Sequence, residues 1–265
     1  MTRRQLALHL AMVPGIGGKT LVRILARNDL LNRSPDTFLS FSEESLREEY
    51  RLSEKVASAI KSLSRRRKEA GELEARLDGL GVSLITAVDA HYPEKIEQFD
   101  PDPPGILFLY GNLKLLSAKT FGILSSRDTS PEGLDKVESL AEAGILNGEV
   151  LVSGHDRPEY QRSAIVPLRW GAPRILVLDR GLFEALGENL SDEPFRAARL
   201  WRYQFDPKTD LVVTPFRPDS KFIGANNRVR DRLIASLSDR IEFIEVREGG
   251  NMAKLRTMAI QAGWA

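Results

Sequence analysis

The chain has 265 residues, 28% of them charged and 42% hydrophobic, which suits a soluble globular protein with a sizeable core and room for two ordinary domains. Lys and Arg total 38 against 37 Asp and Glu, so any affinity for a polyanion has to come from a local patch. The absence of cysteine excludes disulfides, thiolate metal sites and cysteine nucleophiles, and three scattered histidines (His9, His91, His155) give no zinc pattern, so neither a metal nor another cofactor is expected.

Arg3 and Arg4 are followed by no long apolar run, and no stretch is long enough to span a bilayer, so a cytoplasmic protein without membrane attachment is expected. The first element pair surrounds Val13-Pro14-Gly15-Ile16-Gly17-Gly18-Lys19. Apolar residues before it (Leu6, Leu8, Leu10) and after it (Leu21, Val22, Ile24, Leu25) predict helix, tight turn, helix. Gly15 and Gly17 permit a sharp reversal and a close approach of phosphate to the backbone. The second helix would aim its free N–H groups at that point, with Lys19, Arg23 and Arg27 at four-residue steps. The spacing resembles a helix-hairpin-helix motif, which grips nucleic-acid backbones without reading sequence. A packed helical corner or a protein-interaction module fits the same residues.

Ser34-Pro35-Asp36 breaks the helical pattern, and Ser42-Glu43-Glu44-Ser45 and Ser53-Glu54-Lys55-Val56 look like further helix starts. Arg65-Arg66-Arg67-Lys68 reads as a solvated helix face more readily than as a DNA contact. Residues 1–78 are therefore expected to form a small helical domain of helix-hairpin-helix (SAM-like) type. From about residue 80 short β-rich runs alternate with helical stretches. Strands are expected at Val82–Ala87, Ile106–Tyr110, Thr120–Leu124, Val150–Ser153, Ile175–Leu178, Leu211–Thr214 and Ile241–Val246. Leu134–Ala143 and Val229–Leu237 carry helical periodicity between them. The expected class is α/β: over residues 79–265, an extended Rossmann-like, mostly parallel sheet with helices on both faces, whose ligands bind beyond the carboxyl ends of the strands.

The segment Tyr92-Pro93, Asp100-Pro101-Asp102-Pro103-Pro104 and Leu107-Phe108-Leu109-Tyr110-Gly111-Asn112-Leu113 leads into an apolar strand that ends in Ser-Arg. This order resembles the DNA-processing protein A (DprA, or Smf) family. Val152-Ser153-Gly154, Ile175-Leu176-Val177-Leu178 with Gly181, Asn226-Asn227-Arg228 and Ile234-Ala235-Ser236-Leu237-Ser238-Asp239 continue the likeness, as does the Pro-Gly-Ile-Gly hairpin. The resemblance implies a Rossmann-like domain that binds single-stranded DNA without catalysis in DNA uptake and recombination, loads a RecA-type recombinase and forms a homodimer. It leaves no room here for the winged-helix domain of some members.

The chain is a divergent member. The family's Gly-Ser-Arg is Ser125-Ser126-Arg127, and its glycine loop after Ser-Gly is His155-Asp156-Arg157-Pro158-Glu159-Tyr160. Thr214-Pro215 and Gly249-Gly250 replace two further steps, and the closing strand is cut short at Gly263-Trp264-Ala265.

Nucleic-acid contacts are therefore expected from Ser125, Ser126 and Arg127, from Ser153 and Gly154, from Lys221, Asn226, Asn227 and Arg228, and from Gly15, Gly17 and Lys19 of the hairpin. Each has a plainer reading: an Arg127 ion pair with Asp128 or Glu132, an Asn cap with solvated arginines at 226–232, a cap or ion pair for Asp156 and Glu159. Phe216, Phe222, Tyr160 and Trp170 are either stacking or core aromatics, and Trp201, Tyr203 and Phe205 alternate as if on one strand face, a core face or a dimer edge. Two other functions use the same frame. One is a nucleotide enzyme or sensor with Asp156 or Glu245 as acid-base group. The other is a paralogue that has lost DNA binding and serves as a protein-interaction module, for example in phage defence.

Overall fold

A computed structural model describes residues 1–62 and 67–264. Arg65, Arg66 and the Arg67 side chain of the basic run lie outside what it describes. The chain divides into two compact units, Met1–Tyr92 with Asp102–Leu107, and Pro93–Pro101 with the chain from Phe108 onward.

In the first unit Thr2 opens α1 (Arg3–Ala11): its hydroxyl accepts the Gln5 N–H while the Gln5 side chain accepts the Thr2 N–H. Gly15, at φ 89°, makes the reversal that a side chain would resist. It leads to α2 (Gly18–Leu30), which buries Leu21, Ile24 and Leu25 at helical spacing. Ser34 and Ser42 cap α3 (Pro35–Ser40) and α4 (Glu43–Tyr50), and α5 (Glu54–Ser62) and α6 (Arg67–Gly79) follow. The helix starts read from Ser42 and Ser53 are present. Phe38 and Tyr50 meet edge to face at 4.9 Å in the core. The first unit also holds β1 (Ser83–Thr86).

The start of α2 is covered by the chain itself. A Cβ on Gly18 would stand 2.7 Å from the Gly105 nitrogen and 2.9 Å from the Pro103 oxygen. Only two glycines let these backbones meet.

In the second unit α7 (Glu94–Phe99) is followed by β2 (Ile106–Gly111), which starts in the first unit, then β3 (Thr120–Ser125), α8 (Pro131–Leu146), β4 (Val150–Ser153), α9 (Pro158–Trp170), β5 (Arg174–Val177) and α10 (Leu182–Leu186). A 3-10 helix (Arg196–Leu200), β6 (Leu211–Thr214), α11 (Asn226–Leu237), β7 (Arg240–Ile244) and α12 (Asn251–Ala262) complete it. The strands lie in the order β2-β6-β5-β4-β3-β7, with β2 antiparallel to β6 and the rest parallel. Phe121 and Ile123 of β3 pack with Val137 and Ala141 of α8, while a Cβ on Gly122 between them would touch Ile234 of α11. Alternate residues thus meet helices on opposite faces, as a βαβ pattern demands. The strands β3 to β6 step in one direction and β7 returns to the far side of β3, so the topological switch lies at the carboxyl ends of β3 and β7.

One expected strand face is absent. Trp201, Tyr203 and Phe205 belong to no strand, and the backbone there makes a single bridge, Asp192 to Gln204. Phe205 is buried against Tyr110, whereas Trp201 and Tyr203 are exposed. The alternation lacked the β-branched neighbours and partner strand that hold a true strand flat.

Candidate nucleic-acid interface

β3 ends at Ser125, buried with its hydroxyl unpartnered, and the chain turns through Ser126 and Arg127 at the switch point. Ser126 Oγ accepts the Arg247 N–H at 2.9 Å, tying this turn to the one after β7. Asp128 pairs with Arg247 at 3.1 Å rather than with its neighbour, and Arg127 stands exposed with no ion-pair partner among the described residues. Glu245 is spent on structure. Its carboxylate accepts from the Ser130 hydroxyl and, at 2.8 Å, from the Ser130 N–H, and these bonds hold it below its ordinary pKa.

At the next strand end Ser153 is buried and its hydroxyl turns to Ser163 at 3.1 Å, while Gly154 lies under the Tyr160 ring, where a Cβ would stand 2.7 Å away. Ser153 and Gly154 thus sit beneath the surface as packing residues. α11 begins with Asn226, as the sequence suggested, but Asn226 is no cap: its side chain is buried and donates to the Asp179 carbonyl at 2.7 Å. Asn227 is half-buried, and Arg228 and Lys221 are exposed without an ion-pair or side-chain hydrogen-bond partner among the described residues. Arg180 lies over the Phe222 ring at 5.4 Å beside them. Tyr160 is core, Trp170 and Phe222 are exposed, and Phe216 is half-buried.

The structure thus gathers Ser125, Ser126, Arg127, Ser153, Gly154, Lys221, Asn226, Asn227 and Arg228 at the carboxyl ends of the strands or on the turn and helix start beside them. Gly15, Gly17 and Lys19 belong to the first unit, where Lys19 pairs with Asp102 at 3.4 Å.

Beneath this edge lies an ionic cluster. Arg230, fully buried, donates to Asp231 at 2.8 Å, to Asn227 at 3.2 Å and to Asp156. It lies 4.6 Å over the Tyr160 ring, with Arg157 at 4.7 Å, and Tyr160 donates to Asp231 at 2.6 Å. Burial opposes the Arg230 charge, yet Tyr160, Asp231 and Asp156 hold its pKa above the ordinary range. Burial would also raise the Asp179 carboxyl, but bonds from His155 and Arg180 outweigh it and hold Asp179 well below the usual carboxylate range. Asp156 and Asp179 are therefore committed to arginines and a histidine.

A model of the family described as DNA recombination-mediator protein A matches residues 83–261. The chain belongs to this family. Among curated relatives of the DNA recombination-mediator protein A family, DNA processing protein DprA of Streptococcus pneumoniae is 25% identical over 163 residues, spanning 62% of this chain and 54% of the relative, about half its length. The solved structure of DNA processing protein A from Streptococcus pneumoniae superposes with a TM-score of 0.73 at 18% identity, covering 99% of this chain and 85% of that one. A structure of DNA processing protein A from Helicobacter pylori, solved to describe its single-stranded DNA binding mode, gives 0.50 at 18% identity over 69% of this chain and 78% of that one. These likenesses establish the mixed, mostly parallel α/β fold of a DNA recombination-mediator protein A member. Among the described residues no helix is long and apolar enough to cross a membrane.

Sequence reasoning missed the ionic cluster in this family member. Arg230, taken for a surface residue, is the centre of the cluster, and its partners lie as far as 74 residues away along the chain. The one local signal was the run Arg228-Val229-Arg230-Asp231, where alternate arginines on a helix fall on different faces.

Proposed function

We propose that this chain binds single-stranded DNA along the carboxyl edge of its sheet, without catalysis, as part of DNA uptake or recombination. The observation that carries the reading is that Arg127, Lys221 and Arg228 are exposed on the turns and helix start of this edge and lack ion-pair partners among the described residues. Three uncompensated cations beside a helix N-terminus suit a strand of phosphates. The single-stranded DNA binding of the Helicobacter relative supports the same ligand. A non-catalytic role is favoured because Asp156 and Glu245, the carboxylates an acid-base mechanism would need, are held by Arg230 and Ser130. A RecA-type recombinase as partner, a homodimer and a cytoplasmic setting complete the proposal. The hairpin residues Gly15, Gly17 and Lys19 serve as auxiliary contacts.

Binding of labelled oligo-dT, duplex DNA and mononucleotides across a salt series tests this. Single strands should win, with affinity falling as salt rises by about 0.7 log units per log unit for each phosphate neutralised. Arg127→Ala with Arg228→Ala should weaken binding by about tenfold or more per arginine and cut that slope by about 1.4. Unchanged binding in the double variant refutes the site. Preference for a mononucleotide regardless of strand length would mark a nucleotide sensor instead, and a dimer without nucleic-acid affinity would mark an interaction module.

A further inference from the structure

The run Arg196-Ala197-Ala198-Arg199-Leu200-Trp201-Arg202-Tyr203 contains three arginines and no acidic residue. Leu200, Trp201 and Tyr203 are 82%, 42% and 75% exposed, and Trp170 on the end of α9 is 52% exposed. Large apolar groups left in water as a cluster signal a binding surface. Two rings carry a guanidinium: Arg169, itself paired with Glu138, lies 5.4 Å over Trp201, and Arg199 lies 6.0 Å over Tyr203. Such pairs fix a ring, and Arg199 keeps positive charge at the face of Tyr203.

The segment is anchored on both sides. Glu193, fully buried, is held by Arg174 at 2.7 Å, and Arg202 donates to Asp210 at 2.7 Å. Phe205 packs into the core 5.7 Å from Tyr110. Anchors at both ends restrain the exposed rings before any ligand arrives, which lowers the ordering cost of binding.

The segment also begins at the strand ends. A cavity of about 340 Å³ there is lined by His155, Asp156 and Arg180 together with Phe195 and Ala197.

We propose that Trp201 and Tyr203, with Trp170 and the arginines between them, form a stacking platform for the bases of single-stranded DNA leaving the strand-end edge. The inference rests on the DNA-binding reading above. Exposed rings alone would suit a protein partner as well. An acid-free run of arginines interleaved with those rings suits a ligand that is both planar and polyanionic.

The full chain is titrated with oligo-dT of about 6 and about 20 nucleotides, following tryptophan fluorescence, with sedimentation in parallel. Trp201→Ala with Tyr203→Ala should weaken the longer strand by about tenfold per ring, leave the shorter one and the salt slope unchanged, and remove part of the fluorescence quench. Trp201→Phe should keep most of the affinity. Equal affinity of wild type and double alanine variant for both lengths overturns the platform while leaving the strand-end site intact. Loss of self-association with unchanged DNA binding also overturns it, in favour of a protein interface. A wild type that binds neither strand defeats the underlying DNA reading, and the platform with it.

Discussion

Arg174 joins the sheet to the segment that follows α10, and its removal has a calculable cost. Its guanidinium is completely buried and donates to both oxygens of Glu193 at 2.7 and 2.8 Å, to Asp210 at 3.0 Å and to the Ala164 carbonyl at 3.2 Å. Arg174→Met keeps the apolar volume and leaves Glu193 with no cation in place of Arg174. Removing one partner of a buried ion pair costs about 3–5 kcal/mol, and in a unit of this size each kcal/mol moves Tm by about 2–4 °C, so a fall of about 6–20 °C is expected. The loss is pH-dependent. Burial already lifts the Glu193 and Asp210 carboxyls above their ordinary values, with Arg174 opposing, and without Arg174 both rise further. A carboxyl with a raised folded value contributes stability that is present below its unfolded value, near ~4, and is lost as pH rises through the folded one. The deficit should therefore be largest at neutral pH and shrink as pH falls toward the unfolded value near ~4. Adding Glu193→Gln should recover part of it. Calorimetry across that range decides: a fall below about 2 °C at neutral pH, or a deficit that ignores pH, refutes the reasoning.

Two further outcomes concern other parts of the molecule. Gly105→Ala would set a Cβ 2.6 Å from the Gly18 oxygen, so the first unit should lose about 1–3 kcal/mol, read as faster hydrogen exchange at the amides of Leu21 to Leu25; wild-type exchange rates would show that the two backbones are not in contact. Asp179→Asn should cost on the order of 3 kcal/mol at neutral pH. Since the Asp179 carboxyl is depressed, its contribution is present above the unfolded value near ~4 and fades below it, so denaturation curves of variant and wild type should converge toward pH ~2; a constant gap would contradict the assignment.

The sheet was legible because its signals are local. Val150–Ser153 and Leu211–Thr214 carry the expected bounds, and Leu134–Ala143 and Val229–Leu237 fall inside α8 and α11. The rule that ligands gather at carboxyl ends then pointed to the turn at Arg127 and the helix start at Arg228 without knowledge of pairing. What escaped was whatever needed a distant partner. Asn226 looked like a cap because caps are common at helix starts, and only the fold brings the Asp179 carbonyl within its reach. Tyr160 stayed open between stacking and core, because the Arg230 and Asp231 that enclose its ring together with Arg157 lie on a helix far along the chain. Trp201 and Tyr203 misled in the other direction: an alternating pattern was read as strand-like where the irregular chain after a 3-10 helix leaves the rings in solvent.

The meeting of Gly18 and Gly105 has a consequence for how the protein is made. The chain passes between the two units three times, after Tyr92, Pro101 and Leu107, so neither unit is a continuous piece of sequence. The six described helices of the first unit are complete once Gly79 has been synthesised, but the segment that covers the start of α2 follows only at Pro103–Gly105. At ~5–20 residues per second a ribosome needs about 1–6 s to make that stretch. For that interval the amides at the head of α2 are open to water and to any anion nearby. A gene fragment ending at residue 78 would keep them open permanently, giving the head of α2 a stronger anion affinity than it has in the whole chain.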